Sequence, residues 1–128
     1  MPKIRVLLAD GHEAMLARMR FELGDEFEIV ATAHNGQDAV DGVLLYNPDV
    51  LVIDISLPIM DGLQAVSLLK ANHCRTRVLF VSLHEDADFF DAAFSAGALG
   101  YVTKARLSAD LVIAIRQVLQ GRKFVSPR

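Results

Sequence analysis

Residues 50–62 read V-L-V-I-D-I-S-L-P-I-M-D-G, and four apolar residues in this stretch run directly into an aspartate, Asp54. A short run that is apolar at every position is typical of a strand buried on both faces, as in a parallel sheet covered by helices. A carboxylate is costly to bury unless a partner compensates its charge. The stretch therefore predicts a central parallel strand over 50–53, with a compensated carboxylate at its carboxyl end.

On both sides of this stretch, strand-like runs alternate with stretches of helical spacing. Strands are predicted at 4–9, 27–33, 50–53, 78–81 and 100–102. Helices are predicted at 12–23, 37–46, 63–71, 86–96 and 107–119. Five strand–helix units joined by short right-handed crossovers predict an α/β fold, in which a doubly wound sheet has five parallel strands.

Length and composition limit the classes to which the chain can belong. A chain of 128 residues with 52% hydrophobic residues can bury the core of one domain. A net charge of -3 gives no general attraction to nucleic acid or to a membrane surface. No apolar run approaches the roughly 20 residues that span a bilayer, and the lone Cys74 fits a reducing compartment. We therefore expect a cytoplasmic protein without a membrane contact.

Polar residues end or follow four of the five predicted strands. For strands one, three, four and five they are Asp10, Asp54, Ser82, and Thr103 with Lys104. Ligands of doubly wound folds bind outside the carboxyl ends of the strands. Any one of these aspartates can be an ordinary helix cap or turn residue. Together, two carboxylates, a hydroxyl and an ammonium suit a hard cation such as magnesium and the oxygens of a phosphoryl group.

Four blocks of sequence carry a resemblance to a known family. They are L-L-A-D at 7–10, V-I-D-I-S-L-P-I-M-D-G-L at 52–63, V-L-F-V-S at 78–82 and A-G-A-L-G-Y-V-T-K at 96–104. The chain resembles the receiver domains of two-component response regulators over essentially its whole length. It is most similar to the NarL/FixJ-type class, which has a LuxR-type helix-turn-helix output. The resemblance implies a flavodoxin-like, CheY-like (βα)5 fold with strand order 2-1-3-4-5.

The resemblance implies a role for each matching side chain. Asp54 matches the aspartate that accepts a phosphoryl group from a sensor histidine kinase. Lys104 matches the invariant lysine that pairs with the phosphate and with the acceptor carboxylate. Ser82 matches the hydroxyl that turns toward the phosphoryl oxygens, and Tyr101 matches the aromatic residue that changes rotamer on phosphorylation. Such a chain takes part in its own phosphorylation and dephosphorylation and is not a turnover enzyme.

The resemblance also implies a Mg²⁺ site, from which one ligand is missing. Asp10 matches the first of two adjacent acids that organise the metal, and Ser56 matches the residue whose backbone carbonyl binds it. The second acid, which binds the metal directly in the family, is replaced by Gly11. We therefore expect weak Mg²⁺ binding through Asp54, the Ser56 carbonyl, waters and an indirectly placed Asp10. Glu13, in the first turn of the following helix, is an alternative source of the missing charge.

Several of these residues also have an ordinary structural interpretation. Tyr101 equally fits an aromatic residue of the core, Ser82 a hydroxyl bonded to a backbone group, and Lys104 a partner for the acidic cluster. His12 and His84 stand near the predicted mouth, but no spacing between them matches a metal site, which favours surface or capping roles.

Two functions remain open from the sequence. In the first, the chain is a signal receiver that is phosphorylated on Asp54 and controls a transcriptional output. In the second, which Gly11 favours, it is a degenerate receiver, an interaction module that acts independently of phosphorylation. A small hydrolase with an aspartyl-phosphate intermediate is disfavoured, because no second acid follows Asp54 at close spacing and no cap domain is present. Residues 1–121 form the predicted receiver domain, and 122–128 the start of a linker toward a DNA-binding output domain outside this chain.

Apolar residues on the first and last helices indicate a further surface. Helical spacing places Met15, Met19 and Leu23 on one face of the first helix, with Phe21 about 200° from Met19. In the last helix Ile113 lies away from the inward stripe of Leu107, Leu111, Ala114, Ile115 and Val118. We predict that Phe21 and Ile113 share an exposed patch through which two copies of the chain form a homodimer.

Overall fold

The computed structural model describes residues 2–127, and six strands alternate with five α-helices in this part of the chain. The strands are β1 (Ile4–Ala9), β2 (Phe27–Ala33), β3 (Val50–Ile53), β4 (Arg77–Ser82), β5 (Gly100–Thr103) and β6 (Phe124–Val125). The helices are α1 (Glu13–Leu23), α2 (Gly36–Tyr46), α3 (Gly62–Ala71), α4 (Ala87–Ala96) and α5 (Leu107–Leu119). Every predicted strand and helix is present, with bounds that agree to within one residue at each end.

All strand pairs are parallel, and the sheet order is β2-β1-β3-β4-β5-β6. The predicted order 2-1-3-4-5 is confirmed for the first five strands, but the prediction of five strands was wrong by one. Residues 124–125, which the sequence analysis placed in the start of a linker, pair with β5 opposite Gly100 and Tyr101. A strand of two residues is too short to show any periodicity, so the sequence pattern gave no sign of it.

The helices cover both faces of the sheet, and β3 shows how the sequence divides between them. Leu51 and Ile53 pack into the core beneath α2, α3 and α4, whereas Val50 and Val52 pack into the core beneath α1 and α5. All four are fully buried. Complete burial contributes about 1.5–3 kcal/mol for each such side chain. The uniformly apolar run is therefore explained by burial on two faces.

The loop after β3 returns close beneath the end of that strand. Asp61 caps α3 by accepting a hydrogen bond from the Gln64 amide at 2.8 Å, and the Gln64 side chain accepts one from the Asp61 amide. Gly62 follows the cap, and a Cβ atom at this position would lie 2.1 Å from the Asp54 carbonyl oxygen. Glycine is therefore required here for the loop to hold Asp54 in place.

The predicted faces of the first and last helices agree with the structure. Met19 and Leu23 of α1 are buried and Met15 is half-buried, while the whole predicted inward stripe of α5 is buried. Phe21 is 82% exposed and Ile113 is 53% exposed. Among the described residues, none of the helices has the length and apolar character needed to cross a membrane.

Candidate functional site

Lys104 lies between two buried carboxylates at the carboxyl edge of the sheet. Its Nζ donates a hydrogen bond to Asp54 Oδ2 at 2.9 Å and forms an ion pair with Asp10 Oδ2, also at 2.9 Å. Backbone hydrogen bonds fix both acids, from the Asp10 amide to the Ala33 carbonyl and from the Asp54 amide to the Ala9 carbonyl, each at 3.0 Å. The structure thus brings together the three charged residues that the sequence placed at this edge.

One ammonium serves two carboxylates, so the cluster of Asp10, Asp54 and Lys104 has one more acidic than basic side chain. Burial by itself lowers the pKa of Lys104, but the two carboxylates outweigh burial and raise the pKa above its ordinary value of 10.5. Asp10 Oδ2 has the ion-pair contact but no hydrogen bond aligned on it. A buried carboxylate oxygen is therefore left with unused bonding capacity next to Asp54.

A cavity of about 200 Å³ gives access to this cluster. It is lined by His12, Asp54, Ser56, Ser82, Leu83, His84 and Lys104. A larger cavity of about 520 Å³ is lined by Asn47, Arg75 and their neighbours, away from the three charged residues. The smaller cavity holds the buried carboxylate, the ammonium and the hydroxyl, so we regard it as the candidate site.

Ser82 and Tyr101 both bind the backbone of His84 rather than Asp54. Ser82 Oγ accepts a hydrogen bond from the His84 amide at 3.1 Å, and the Tyr101 hydroxyl donates one to the His84 carbonyl at 2.8 Å. Tyr101 is fully buried and packs edge-on against Phe90. Burial raises the pKa of Tyr101, and its hydrogen bonding with Ser82 only partly offsets this. This geometry matches the ordinary structural interpretation of both residues, and their switching roles stay predictions.

The His84 side chain forms part of one wall of the cavity. Its ring stacks on Phe89 with the centroids 3.9 Å apart and the planes inclined by 5°. Its Nε2 lies 3.3 Å from Ser56 Oγ. The His12 side chain is exposed, and its amide donates a hydrogen bond to Asp10 Oδ1 at 2.9 Å. His12 occupies the N-cap position of α1 without a side-chain hydrogen bond to the helix, and the surface and capping roles of both histidines stay predictions.

The oxygen atoms around Asp54 fit a hard cation, but they are few. Asp10 Oδ2 lacks a hydrogen bond, and Asp54 Oδ1 accepts only a long one, at 3.3 Å, from the Ser56 amide. Between residues 2 and 127, no three His, Cys, Asp or Glu side chains are arranged to hold a metal ion. Carboxylate and carbonyl oxygens are nevertheless the ligands that Mg²⁺ prefers, and it commonly retains several waters. Asp10, Asp54 and the Ser56 carbonyl therefore remain the candidate ligands.

Glu13, the alternative source of the charge missing at position 11, is paired with another residue in this structure. The Glu13 carboxylate contacts Nε2 of His34, and the Glu13 side chain is largely exposed. A Cβ atom on Gly11 would lie 3.8 Å from its nearest neighbours, the His34 carbonyl oxygen and Pro58 Cδ. This is ordinary van der Waals contact, so the backbone has room for a side chain at position 11.

A third buried carboxylate, Asp110, was not predicted from the sequence. It accepts two hydrogen bonds from the Arg106 guanidinium, from Nε at 2.8 Å and from Nη2 at 3.2 Å. It accepts a third from Ser126 Oγ at 2.7 Å. Burial alone raises the pKa of Asp110, but Arg106 and Ser126 outweigh burial and lower the pKa below its ordinary value. The i,i+4 spacing of Arg106 and Asp110 was a usable signal for the ion pair. Nothing in the sequence indicated Ser126.

Comparison with known proteins identifies the family. A profile of the response regulator receiver domain matches residues 6–116. The transcriptional regulatory protein DegU of Brevibacillus brevis is 31% identical over 98% of this chain and 54% of its own length. The response regulator GacA of Pseudomonas viridiflava is 33% identical over 98% of this chain and 59% of its own length. This chain thus spans somewhat more than half the length of the curated relatives it matches.

A solved structure shares the fold throughout. The two-component response regulator of the LuxR family from Aurantimonas sp. SI85-9A1 superposes with a TM-score of 0.92 at 32% identity, covering 98% of this chain and 91% of that one. The profile match spans the elements that bring Asp10, Asp54 and Lys104 together. On these grounds the chain belongs to the response regulator receiver domain family of two-component systems.

Proposed function

We propose that this chain receives a phosphoryl group on Asp54 from a sensor histidine kinase and thereby controls a transcriptional output. The observation that carries the proposal is the position of Asp54, whose carboxylate lines the 200 Å³ cavity and is bonded to Lys104 at 2.9 Å. Ser82 lines the same cavity. A nucleophile, a cation and a hydroxyl group therefore line one cavity.

The transfer requires little covalent chemistry from the protein. A carboxylate oxygen of Asp54 attacks the phosphorus, the P–N bond to the kinase histidine breaks, and the electron pair returns to the imidazole. Lys104 and Ser82 supply donors for the phosphoryl oxygens, and their location in the same cavity as Asp54 lowers the cost of orientation. When bound by Asp10, Asp54 and the Ser56 carbonyl, Mg²⁺ supplies positive charge to the same oxygens. We propose that this binding is weak, since position 11 contributes no carboxylate.

A degenerate receiver is the alternative, and the glycine at position 11 is the observation that favours it. The two functions are distinguished by treating the protein with phosphoramidate and excess Mg²⁺ and measuring its intact mass. We expect the mass of one phosphoryl group, located on Asp54 by peptide mapping. An unchanged mass at saturating Mg²⁺, with a phosphorylatable receiver as the positive control, would favour the degenerate receiver instead.

The output is proposed from the relatives. DegU is a transcriptional regulatory protein, and this chain covers 54% of its length. We propose that DNA is bound only through an output domain outside this chain, and that residues 122–128 lead toward it. A fusion of this chain to such a domain should bind DNA more tightly once phosphorylated, whereas the isolated chain should not bind DNA in either state.

We also propose a homodimer through α1 and α5. The two helices are neighbours, since Ser108 Oγ of α5 donates a hydrogen bond to Glu22 of α1 at 2.9 Å. Phe21 and Ile113 are large apolar side chains exposed on these helices, where a two-fold partner would bury them.

Sedimentation of the double variant Phe21→Glu, Ile113→Glu tests this surface. We expect the variant to be monomeric at concentrations at which the wild-type protein is a dimer, with an unchanged circular dichroism spectrum. Leu45→Glu is the matched control, because Leu45 is also a large apolar residue and is 73% exposed, but it lies on α2. A wild-type protein that stays monomeric at high concentration, phosphorylated or not, would exclude the dimer.

A further inference from the structure

The segment after α5 is bound along the edge of β5. The Phe124 amide donates a hydrogen bond to the Leu99 carbonyl at 3.1 Å, and the Ser126 amide donates one to the Tyr101 carbonyl at 2.9 Å. These bonds satisfy the carbonyl groups of an edge strand that would otherwise be open to another chain. The segment is thus held by backbone bonds on both sides of Val125.

Ser126 fixes this segment with its side chain. Its Oγ accepts a hydrogen bond from the Thr103 amide at 3.1 Å and donates one to Asp110 Oδ2 at 2.7 Å. Ser126 is buried although Val125 and Pro127 on either side of it are exposed. A polar residue that is buried between two exposed neighbours owes its burial to these specific bonds, since apolar packing does not account for it.

The bonds of Ser126 fall on the part of β5 that leads into the candidate site. Tyr101, whose carbonyl binds the Ser126 amide, contacts His84 with its side chain. Thr103, whose amide binds Ser126 Oγ, directly precedes Lys104. The Thr103 hydroxyl is itself buried without a hydrogen-bond partner. The end of β5 is therefore held from outside by Ser126 and from inside by the salt bridges of Lys104.

We propose that residues 122–127 form a latch on β5 that loosens when Asp54 is phosphorylated. The proposal rests on the proposed function of Asp54. A phosphoryl group brings more negative charge and more acceptor oxygens than the carboxylate to which Lys104 now binds. The Lys104 ammonium is drawn away from Asp10 toward the new oxygens, and this pull shifts the adjacent Thr103 amide. The Ser126 bonds then lengthen, and the segment is released from the sheet edge.

Amide hydrogen exchange, measured by NMR on the whole chain, tests the latch. We expect the Phe124, Ser126 and Thr103 amides to exchange at least about fivefold faster in phosphoramidate-treated protein, the low end of usual coupling between two sites. The Asp49 amide, which donates to the Arg5 carbonyl at 2.8 Å, is an internal control and should not change. Equal exchange at all three latch amides in samples shown by mass to be phosphorylated would overturn the proposal.

Ser126→Ala tests the same coupling from the other end. A loosened latch no longer opposes the phosphorylated conformation, so Ser126→Ala should increase the phosphorylated fraction at limiting phosphoramidate by about fivefold, the low end of usual coupling between two sites. Ser108→Ala removes another α5 hydroxyl bond, to Glu22, and should leave the fraction unchanged. Equal phosphorylation of Ser126→Ala and the wild-type protein would contradict the latch, provided that both remain folded by circular dichroism.

Failure of phosphorylation would be a failure of the proposed function and would be visible in the mass alone. In that case the Ser126→Ala variant is judged by the NMR signals of the Tyr101 ring and the Lys104 ammonium. Shifts of both signals relative to Ser108→Ala would support a latch that is coupled to the site. Unchanged signals would show that Ser126 only fastens the segment, and the latch would be rejected.

Discussion

Two groups of residues with buried carboxylates lie near the carboxyl end of β5, and they differ in how completely the carboxylates are hydrogen-bonded. Asp54 is 6% exposed and Asp110 is 4% exposed, so burial does not distinguish them. Asp110 receives three hydrogen bonds, from Arg106 and Ser126. Asp54 and Asp10 instead share the single ammonium of Lys104, and one Asp10 oxygen has no hydrogen bond.

In this protein the candidate binding site and the structural contact differ in how completely their buried carboxylates are paired, and not in how deeply these are buried. A buried charge with a complete set of partners gains nothing from a further ligand. A cluster that keeps negative charge and free oxygen lone pairs is prepared to bind a cation or to react with an electrophile. By this criterion we propose that the Asp10–Asp54–Lys104 cluster is the site for chemistry and that Asp110 has a structural role.

Substitution of the two aspartates should differ most in its effect on phosphorylation. Asp54→Asn should reduce phosphotransfer from phosphoramidate to background, because an amide is not a nucleophile for phosphorus. Asp110→Asn changes an equally buried carboxylate in the same way and should still accept one phosphoryl group. Intact mass gives the extent for both variants. Wild-type labelling of Asp54→Asn would reject Asp54 as the acceptor.

Stability should rank the two variants in the opposite order. Asp110→Asn should lower the free energy of unfolding by about 2 kcal/mol, because the buried Ser126 hydroxyl loses a charged acceptor. Asp54→Asn leaves Lys104 paired with Asp10 and removes one of the two carboxylates that share its ammonium, so it should lower stability less than Asp110→Asn does. Urea denaturation followed by circular dichroism measures both. A larger loss in Asp54→Asn would show that Asp54 is structural.

The elements that the sequence predicted are those whose signal is local and repeated. β3 and β4 contain continuous apolar runs, and each turn of α5 has an apolar residue that faces the core. The sequence pattern of these segments therefore predicts their burial directly. β6 has two residues and depends on hydrogen bonds to β5 across more than 20 positions of sequence. Such a strand exists only because the sheet edge and Ser126 bind it, which no periodicity reveals.

The candidate site likewise has residues that the sequence predicted and contacts that it did not. The positions of Asp10, Asp54 and Lys104 were predictable because the carboxyl ends of parallel strands lie at one edge of the sheet. This holds regardless of how the individual side chains pack. The pairing of Glu13 with His34 depends on how the start of α1 and the loop after β2 meet, and the hydrogen bonding of Asp110 depends on a serine near the end of the chain. Contacts between side chains on unrelated elements require the folded structure.

A smaller effect is expected from adding the missing acid. Gly11→Asp gives the cluster a further carboxylate in a space without steric conflict and should tighten Mg²⁺ binding about tenfold, or about 1.4 kcal/mol. Gly11→Asn is the control, since it adds a side chain of the same size without the charge. Isothermal calorimetry on the three proteins gives the affinities. If Gly11→Asp and wild type bind Mg²⁺ equally, another group already supplies the charge.

The smallest effect is a difference in the pH windows over which the two clusters stabilise the fold. The pKa of Asp110 is lowered in the folded state, so its stabilisation is complete above the unfolded value of 3.8 and is lost as the pH falls through the folded value. The pKa of Lys104 is raised, so its stabilisation is complete below 10.5 and is lost as the pH rises through the folded value.

The stability difference between wild type and Asp110→Asn should therefore be the same at about pH 5 and about pH 9, and should shrink below about pH 3. The difference between wild type and Lys104→Met should persist in mild acid and shrink only above about pH 11, because the ammonium then loses its proton. Urea denaturation across this range measures both curves. A difference for Asp110→Asn that shrinks only in alkali would mean that a cation near Asp110, and not its own carboxylate, sets the stability of the structural cluster.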